Sequence, residues 1–537
     1  MKKRALISVF YKDGILELAS FLNSSGWEIL STGGTAKYLQ ENNIPVTDVC
    51  AVTGFPECLD GRVKTLHPAI HAGILARRDV QAHVDTLKSL NLGTIDLVCV
   101  NLYPFFEKVQ DNLPLDETIE FIDIGGPGML RSAAKNFRDV IVLTDPADYA
   151  ETINGLKAGN VPLEFKKRLA GKVFNLTSAY DAAISRYLLE DEYASYLPLS
   201  LKKGQALRYG ENGHQSAALY LHTDRPGVFG CIEQLHGKEL GYNNIRDLDL
   251  AWKAVCAFGL EADKTKPAGA DLVSQLIPTA NDVGKVCCVA VKHNTPCGIG
   301  LGDTVLAAYE KTYSCDSVSI FGGIVAFNAK VTAAVAEKLD ALFLEIVAAP
   351  DFEGEALEIL KKKKKLRVMK IGKAPAEFHE YIAVDGGLLV QQSDRILLDK
   401  WEVVTKTAPQ VCDIPDMLFG MRAVTFVKSN AIMVVKELSA TGIGGGQTSR
   451  IWAARQALER SALALNAAGT PWSDSKPARV LASDAFFPFA DVVEAAAEAG
   501  IKAVIQPGGS VNDKLSIEAC DKYGIAMVFT GTRHFKH

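Results

Sequence analysis

A lysine and a histidine stand side by side in the stretch Val289–Gly298, which reads Val-Ala-Val-Lys-His-Asn-Thr-Pro-Cys-Gly. Lys292 supplies a cation and His293 an imidazole that titrates near neutrality, a combination suited to acid–base chemistry. The six apolar residues 286–291 before them are typical of a strand buried on both faces, and a Pro/Gly turn and a helix from Asp303 are expected to follow. Because ligands bind beyond the carboxyl ends of strands in α/β sheets, this position suits a site. A lone Lys-His pair is more often a solvated lysine and a turn histidine, so other motifs must decide.

Two glycine-bounded stretches concentrate further charged and imidazole groups. Residues 61–73 hold two cations and two histidines, and residues 122–136 carry Asp123 and Lys135 across a glycine-rich turn. The i, i+4 spacing of His67 and His71 suits a metal, but no glutamate stands beside them as in a zinc protease. A structural role for at least one of these histidines is therefore favoured.

A third stretch, Ser31–Thr35, reads Ser-Thr-Gly-Gly-Thr between an expected strand and an expected helix. Glycines allow close backbone approach, and a helix N-terminus attracts phosphate. A Gly-Gly turn is by itself more often only a tight connection. The stretch lacks both the six-residue dinucleotide pattern and the Walker lysine, so it supports neither a nicotinamide site nor a P-loop.

Strand and helix patterns alternate through the first 150 residues, which predicts a parallel sheet with helices on both faces. The strand-like segments are Ala5–Phe10, Glu28–Ser31, Thr94–Asn101 and Asp139–Leu143, and the helix-like segments are Gly14–Leu22, Ala36–Glu41 and Gln81–Leu90. A long helix is expected over Leu163–Tyr187, followed by a surface connection. These patterns predict an α/β domain over residues 1–150, a helical linker over 151–200 and a second domain over 201–537.

The second half contains an internal repetition of element order. After the Lys-His pair, alternating helices and strands lead to a strand over Leu366–Ile371, and the same order returns after Gly444, ending with Ile525–Phe529. The repetition predicts two similar α/β lobes with a cleft between them.

Composition narrows the class of protein. The 537 residues are 48% hydrophobic and 23% charged, with a net charge of −5, which argues against a general nucleic-acid binder. No apolar run reaches membrane-spanning length, and the N-terminus has no cleavage signature. Eleven cysteines without a Cys-x-x-Cys pair indicate reduced, mostly buried thiols. A cytoplasmic protein without a membrane or nucleic-acid partner is therefore expected.

The first domain resembles the IMP cyclohydrolase half of the bifunctional purine-biosynthesis family, whose other half is AICAR (aminoimidazole-carboxamide ribotide) transformylase. The resemblance is carried by Ala5–Val9, Ser31–Thr35, Arg62–Gly73, Cys99–Phe105 and Ile122–Asn136. Family members usually read Ser-Val-Ser-Asp-Lys-Thr-Gly near the start, whereas this chain keeps Lys12 but has Phe10 at the second serine. The resemblance implies a methylglyoxal-synthase-like fold for this domain.

The second half resembles the transformylase half of the same family. The matching stretches occur in the family's order and are Arg208–Gln215, Lys292–Gly298, Phe321–Asn328, Ser429–Asn430, Gly444–Arg450, Ser483–Phe489 and Arg533–His537. The family commonly reads Lys-His-x-Asn-Pro, so Asn294 stands one position early here. Together the two resemblances cover essentially the whole chain, and they imply that the α/β lobes are of cytidine-deaminase-like type.

For the second half, the resemblance implies formyl transfer from 10-formyltetrahydrofolate to AICAR. His293 would manage the amine proton, Lys292 would donate to the leaving folate nitrogen, and Asn430 would hold the formyl oxygen. His537 would contact His293 or the substrate. The residues implied to bind substrate are Arg208, Tyr209, Asn244, Phe321, Arg450, Asp484 and Arg533.

For the first half, the resemblance implies ring closure of the formylated product, FAICAR, to IMP with loss of water. Lys64 and Tyr103 would stabilise charge on the formyl oxygen, and the Asp123–Lys135 pair would transfer the amide proton. The residues implied to hold the phosphate are Lys12, Ser31, Gly33, Gly34, Thr35, Arg62 and Thr65. Neither reaction requires a metal, and a homodimer is expected.

Two other classes of protein share some of these features. A zinc-dependent base deaminase needs His-x-Glu and Pro-Cys-x-x-Cys, but Pro296-Cys297 is followed by Gly298-Ile299-Gly300, so the second thiol is missing. The sequence therefore argues against zinc chemistry. A non-catalytic nucleotide sensor built on the first domain is distinguished from an enzyme by a turnover assay.

Overall fold

The computed structural model describes residues 2–225, 227–258, 285–376, 379–467, 469–473 and 476–537. The chain divides into two compact units. Unit 1 comprises Met1–Lys202 with His222–Arg225, and unit 2 comprises Lys203–Leu221 with Pro226–His537. Within the described ranges, no helix is both long enough and apolar enough to cross a membrane.

Unit 1 is built on one five-stranded sheet in the order β3-β2-β1-β4-β5, with every neighbouring pair parallel. The predicted parallel sheet is confirmed. Its elements are β1 (Arg4–Ser8), α1 (Ile15–Ser24), β2 (Glu28–Ser31), α2 (Gly33–Glu41), β3 (Thr47–Asp48), α3 (Val49–Thr53), α4 (Pro68–Leu75), α5 (Gln81–Ser89), β4 (Leu97–Val100), α6 (Phe105–Lys108), α7 (Leu115–Ile119), α8 (Gly125–Lys135), β5 (Ile141–Leu143), α9 (Tyr149–Lys157) and α10 (Leu163–Leu188).

The long helix α10 belongs to unit 1 because it contributes to that unit's core. Phe165, Leu169, Val173 and Tyr180 recur on one helical face and are buried. The Tyr180 hydroxyl donates to the Phe121 carbonyl oxygen and accepts from the Asp123 amide, both at 2.8 Å. The predicted helical linker is thus packed structure, and it fixes the segment that carries Asp123.

A short segment after residue 220 also belongs to unit 1. The hydroxyls of Ser200 and Thr223 lie 2.6 Å apart, and Arg186 forms an ion pair with Asp224 at 3.5 Å. A cut near residue 200, where the sequence suggests a boundary, would therefore remove contacts from unit 1.

Unit 2 contains a twelve-stranded mixed sheet in the order β16-β21-β20-β19-β17-β18-β10-β9-β11-β12-β13-β8. Two separate hairpin-like sheets pair β6 with β7 and β14 with β15. The elements are β6 (Leu201–Leu207), β7 (Ala217–His222), β8 (Glu233–His236), α11 (Tyr242–Cys256), β9 (Val286–Lys292), β10 (Thr295–Gly302), α12 (Val305–Cys315), β11 (Ile324–Phe327), α13 (Ala333–Asp340), β12 (Ile346–Ala349), α14 (Gly354–Lys361), β13 (Arg367–Lys370), β14 (His379–Val384), β15 (Gly387–Gln392), β16 (Glu402–Val403), α15 (Ile414–Val424), β17 (Ile432–Lys436), β18 (Ser439–Gly444), α16 (Arg450–Leu465), β19 (Val480–Ser483), α17 (Asp491–Glu498), β20 (Ala503–Gln506), α18 (Asp513–Tyr523) and β21 (Ala526–Phe529).

Two halves of this sheet repeat one element order. Lobe 1 (residues 233–370) and lobe 2 (residues 402–529) each contain an edge strand, a helix, a two-stranded hairpin, and then three strands joined by helices. The predicted pair of similar lobes is present, but the predicted cleft does not interrupt the sheet. The hairpin strands β10 and β18 pair antiparallel at Gly300 and Ser439, so both lobes share one sheet.

The second strand of the lobe 1 hairpin is the main element that the sequence did not reveal. Its residues Thr295–Gly302 include a proline and three glycines, which are typical of a turn rather than a strand. The glycines allow the backbone of a helix to pack directly against the backbone of the strand. A Cβ atom at Gly298 would lie 2.3 Å from the Thr312 carbonyl oxygen in α12, and one at Gly442 would lie 1.9 Å from the Ala457 carbonyl oxygen in α16.

Replacing Gly442 with alanine is expected to destabilise unit 2 by at least about 2 kcal/mol, because the new methyl group overlaps helix backbone that cannot swing aside. Gly372→Ala is the matched control, since nothing lies within 4 Å of its added Cβ atom. Denaturant unfolding of both variants measures the difference. Equal stability of the two variants would contradict the close strand–helix contact.

Candidate active sites

In unit 1, the site residues predicted from sequence gather at one edge of the sheet. All five strands are parallel, so their carboxyl ends meet at the same edge. Lys12 follows β1, the Thr32–Gly34 turn follows β2, and Tyr103 follows β4. Three segments distant in sequence therefore meet there.

Three polar side chains fasten the loops at this edge. The Thr35 hydroxyl donates to the Val9 carbonyl oxygen at 2.9 Å, and the buried Ser31 hydroxyl donates to the Ile7 carbonyl oxygen at 2.7 Å. The Lys12 ammonium donates to the Thr35 hydroxyl at 3.3 Å, and burial lowers its pKa. The hydroxyls of Ser31 and Thr35 are thus bonded to backbone carbonyl oxygens, and their predicted phosphate role remains a prediction.

An aromatic group borders the same edge. Phe10 is half exposed and lies edge-on to Tyr103, with ring centroids 5.9 Å apart. Asn101 holds this segment, because its side chain accepts from the Phe10 and Tyr11 amides and donates to the Tyr11 carbonyl oxygen at 2.9 Å. Sequence reasoning did not single out Asn101, since one asparagine after a strand carries no distinctive signal.

Lys64 and the glycine turn meet at the sheet edge. An atom added as Cβ at Gly33 would lie 3.4 Å from the Lys64 ammonium nitrogen, which also forms an ion pair with Glu57 at 3.3 Å. Arg62 is exposed and pairs with Glu120. A phosphate or carbonyl oxygen near Gly33 and Gly34 would therefore meet the Lys64 cation.

Asp123 stands at the start of α8, close to the threonine of the 61–73 stretch. Its carboxylate accepts from the Gly126 amide at 2.8 Å, while a Cβ atom at Gly125 would lie 2.9 Å from the Thr65 hydroxyl. Burial raises the pKa of Asp123, although the amides of Gly126 and Tyr103 favour its anion. Asp123, Thr65 and Tyr103 thus form one neighbourhood.

The predicted Asp123–Lys135 pair does not form within the chain. Asp123 precedes α8, whereas Lys135 is the last residue of that helix and is exposed. Ten residue steps along an α-helix span about 15 Å, beyond the reach of the two side chains. Nearby, His71 Nδ1 lies 2.9 Å from the Ser132 hydroxyl, and His67 Nδ1 accepts from the Ala69 amide, so both histidines have structural contacts.

In unit 2, antiparallel pairing brings two sets of predicted residues to one edge of the twelve-stranded sheet. The end of β9, the start of β11, the start of β17 and the end of β19 all lie at this edge. The Lys-His pair lies at the carboxyl end of its own strand β9, where the sequence predicts it. The neighbouring strands β11–β13 present their amino ends at this edge, because β9 runs antiparallel to them.

The first set surrounds the β9–β10 turn. The Lys292 ammonium donates to the Phe321 carbonyl oxygen at 2.8 Å, which brings two predicted residues together. His293 is exposed, and the amide of Asn294 donates to the Asp247 carboxylate on α11 at 2.6 Å. The imidazole is therefore exposed, while the backbone of the turn that carries it is bonded to the Asp247 carboxylate.

The second set is organised by a buried arginine. Arg450 donates to the Asp484 carboxylate, to the Ser483 hydroxyl at 2.9 Å and to the Asn430 side-chain oxygen at 2.7 Å. The Arg450 side chain is 5% exposed and that of Asp484 0%. Arg450 and Asp484 thus both have protein partners beside Asn430, and their predicted substrate contacts remain predictions.

The chain's last residues fasten this second set. The Ser429 amide donates to the Lys536 carbonyl oxygen at 2.8 Å, and the His534 amide donates to the Asp484 carbonyl oxygen at 2.9 Å. Arg533 is exposed over the Phe535 ring, and His537 lies edge-on to that ring at 5.7 Å. The predicted contact between His537 and His293 is not among the contacts of the described residues.

The strand order separates the two sets. Three strand spacings between β9 and β17 amount to about 14 Å. The loop with Arg208 and Tyr209 approaches the first set, because Glu211 in that loop pairs with Arg246 of α11 at 3.0 Å. Asn244 caps the start of α11, accepting from the Gly241 amide at 3.1 Å.

Cys297, the thiol of the Pro-Cys dipeptide that resembles a zinc-deaminase motif, lies in the β9–β10 hairpin. Cys297 is buried in β10, and burial raises its pKa to about 12. Zinc binds the thiolate, so this protonated, enclosed thiol does not suit a metal site.

Removing the charge of Asp484 is expected to destabilise the chain by about 3 kcal/mol or more, because Arg450 remains as a buried, unpaired cation. Denaturant unfolding of Asp484→Asn measures this loss. Glu151→Gln, which breaks the exposed Glu151–Arg168 pair, is expected to cost less than about 1 kcal/mol. Similar losses of unfolding free energy in both variants would show that burial of the Arg450–Asp484 pair does not increase its effect on stability.

Comparisons with known proteins found two family models and several similar proteins. The family model described as AICARFT/IMPCHase bienzyme matches residues 133–460, and the model described as MGS-like domain matches residues 14–128. The bifunctional purine biosynthesis proteins PurH of Clostridium botulinum (strain Hall) and Clostridium acetobutylicum are 55% and 56% identical, each over 100% of both chains. The crystal structure of ForH covers 34% of this chain and 95% of its own, with 37% identity and a TM-score of 0.32.

A parallel-sheet unit of MGS-like type joined to a duplicated α/β unit defines a bienzyme, with a candidate site in each unit. The chain belongs to the AICARFT/IMPCHase bienzyme family, as its resemblance to purine-biosynthesis proteins predicted. It is a bifunctional enzyme of purine biosynthesis with AICAR formyltransferase and IMP cyclohydrolase activities.

Proposed function

We propose that unit 2 transfers the formyl group of 10-formyltetrahydrofolate to the 5-amine of AICAR, and that unit 1 closes the product FAICAR to IMP. The observation that carries the first assignment is that the Lys292–His293 turn and Asn430 lie along the same edge of the unit 2 sheet, three strands apart. That edge supplies a cation, an imidazole and an amide, the groups that amine formylation uses.

In formyl transfer, the amine nitrogen attacks the formyl carbon and gives a tetrahedral intermediate. The amine is a poor nucleophile because the ring and carboxamide delocalise its lone pair, so His293 accepts its proton. The bond between the formyl carbon and the folate nitrogen then breaks, and Lys292 supplies a proton to that nitrogen. The products are FAICAR and tetrahydrofolate.

Asn430 is suited to hold the formyl oxygen because Arg450 sets the orientation of its amide. A guanidinium only donates, so the Asn430 oxygen faces Arg450 and the NH2 group faces away. One N–H of that group donates to the Gln447 carbonyl oxygen at 2.8 Å. The second N–H is left to stabilise the oxyanion as charge develops.

In ring closure, the carboxamide nitrogen attacks the formyl carbon and water leaves. Folding the substrate into the reactive conformation supplies much of the rate, since the reaction is intramolecular. The Gly33–Gly34 turn and Lys12 hold the phosphate, Lys64 and Tyr103 face the formyl oxygen, and Asp123 takes the amide proton. The raised pKa of Asp123 suits this role, because a base works best when its pKa approaches the operating pH.

Alanine at either Lys292 or His293 is expected to lower formyl transfer by about a hundredfold or more, because a positioned proton-transfer group is lost. Ring closure of supplied FAICAR should continue at the normal rate. Absorbance assays of the two half-reactions measure both effects.

Lys64→Ala is the reciprocal variant and should impair ring closure while formyl transfer persists. Normal transfer by folded Lys292→Ala and His293→Ala proteins would sink the assignment of unit 2. A wild-type chain that binds nucleotide but turns over neither substrate would instead favour the sensor alternative.

A homodimer is proposed because hairpin β14–β15 has two apolar faces. Ile382 and Leu389 are directly opposite on one face, and Ala383 and Leu388 on the other. Ile382, Leu388 and Leu389 are each about half exposed. Two-stranded hairpins are marginally stable in water, and a second copy of the chain would cover these faces.

The eleven free cysteines suit a reducing compartment, and we propose that the protein is cytoplasmic.

Lysines at both Ile382 and Leu389 are expected to shift the chain from dimer to monomer, because two charges would be buried in the contact. Sedimentation velocity at micromolar concentration measures the shift. Val511→Lys, at a fully exposed site, should leave the dimer intact. A hairpin variant that sediments like the wild type would remove β14–β15 from the interface.

A further inference from the structure

The turn that carries His293 has an unusual backbone. Lys292 and Thr295 are paired residues of the β9–β10 hairpin, so His293 and Asn294 are its two central residues. Both have positive φ, 55° and 54°, as in a type I′ turn. Such turns favour Asn-Gly or Gly-Gly, whereas this one contains no glycine, so two residues with a Cβ atom adopt positive φ. Hydrogen bonds from outside the turn can offset that conformational cost.

Asp247, on the second turn of α11, is placed to do this. Its carboxylate accepts from the Asn294 amide at 2.6 Å. Burial raises the pKa of Asp247, while the amides of both Asn294 and His293 favour its anion. The carboxylate thus lies against both central amides of the turn and leaves the imidazole free.

Lobe 2 repeats the arrangement without the catalytic side chains. Glu437 and Leu438 are the central residues of the β17–β18 turn, with φ of 50° and 57°. Asp416 on α15 accepts from the Glu437 amide at 3.0 Å and from the Leu438 amide at 2.7 Å. This turn lies at the edge of the sheet opposite the candidate site, because β17 runs antiparallel to β9.

We propose that Asp247 is a positioning residue for formyl transfer, which holds the type I′ turn so that His293 meets the reacting amine. The inference rests on the proposed function of His293. Asp416 bonds the central amides of the corresponding lobe 2 turn, which lies away from the candidate site. Its replacement therefore serves as a control that affects stability without affecting the position of His293.

The test compares Asp247→Ala with Asp416→Ala in the full chain. Asp247→Ala is expected to lower kcat for formyl transfer by about 10- to 100-fold, the scale of a displaced catalytic group. The KM values for AICAR and 10-formyltetrahydrofolate should change by less than about threefold, because the displaced group acts in the transition state and not in the binding of either substrate. Asp416→Ala should lose stability in denaturant unfolding to a comparable degree but keep its kcat.

A rescue distinguishes turn geometry from the charge of Asp247. Glycine at the second central position stabilises a type I′ turn by itself. The double variant Asp247→Ala/Asn294→Gly is therefore expected to recover most of kcat without the carboxylate, and Asn294→Gly alone should behave like the wild type. If Asp247→Ala does not fold, Asp247→Asn, which keeps one acceptor oxygen, is assayed with and without Asn294→Gly.

Each other result overturns the inference. A normal kcat in Asp247→Ala, an equal fall in Asp416→Ala, or a double variant that stays impaired would do so. Failure of the proposed function has a different signature, because His293→Ala would then keep formyl transfer.

Discussion

Backbone contact between glycine-bearing hairpin strands and the helices that cross them is the constraint on which unit 2 depends. With Gly298 in β10 against Thr312, and Gly442 in β18 against Ala457, α12 and α16 lie closer to the sheet than any side chain would allow. That closeness lets the two hairpins sit side by side at the centre of the sheet. The pairing of Gly300 with Ser439, together with the hydrogen bond from the Leu301 amide to the Leu438 carbonyl oxygen, then joins the lobes in one sheet.

Duplication explains how one architecture carries both structure and chemistry. The ends of β9 and β17 are both lysines, yet Lys292 reaches the Phe321 carbonyl oxygen at the site edge, whereas Lys436 is buried and donates to the Lys476 carbonyl oxygen at 2.9 Å. Conversely, the strand-end cluster of Arg450 and Asp484 belongs to lobe 2. Each lobe thus contributes to the candidate site from a different part of the repeated unit.

Local patterns in the sequence identify most of the helices and strands named from it, but not how the strands pair. Apolar runs such as 286–291 predicted strands because burial on both faces leaves a direct signature. The sequence of β10 predicts a turn, whereas its glycines allow close packing against α12. The family motif marks Asp484 but gives no sign of its partner Arg450, 34 residues away in sequence. Asp247 and Asn101 were missed for the same reason, as single polar residues whose partners appear only in the fold.

A hydrogen-bonded sheet that runs through both lobes has a mechanical consequence. Hinge closure requires segments that can rotate about a few backbone bonds, and no such freedom exists where β10 and β18 are paired and the Leu301 amide donates to the Leu438 carbonyl oxygen at 2.9 Å. Unit 2 therefore responds to its two large substrates as one stiff body. The conformational entropy of ordering the two lobes relative to each other is therefore lost once, when the chain folds, and not in every turnover.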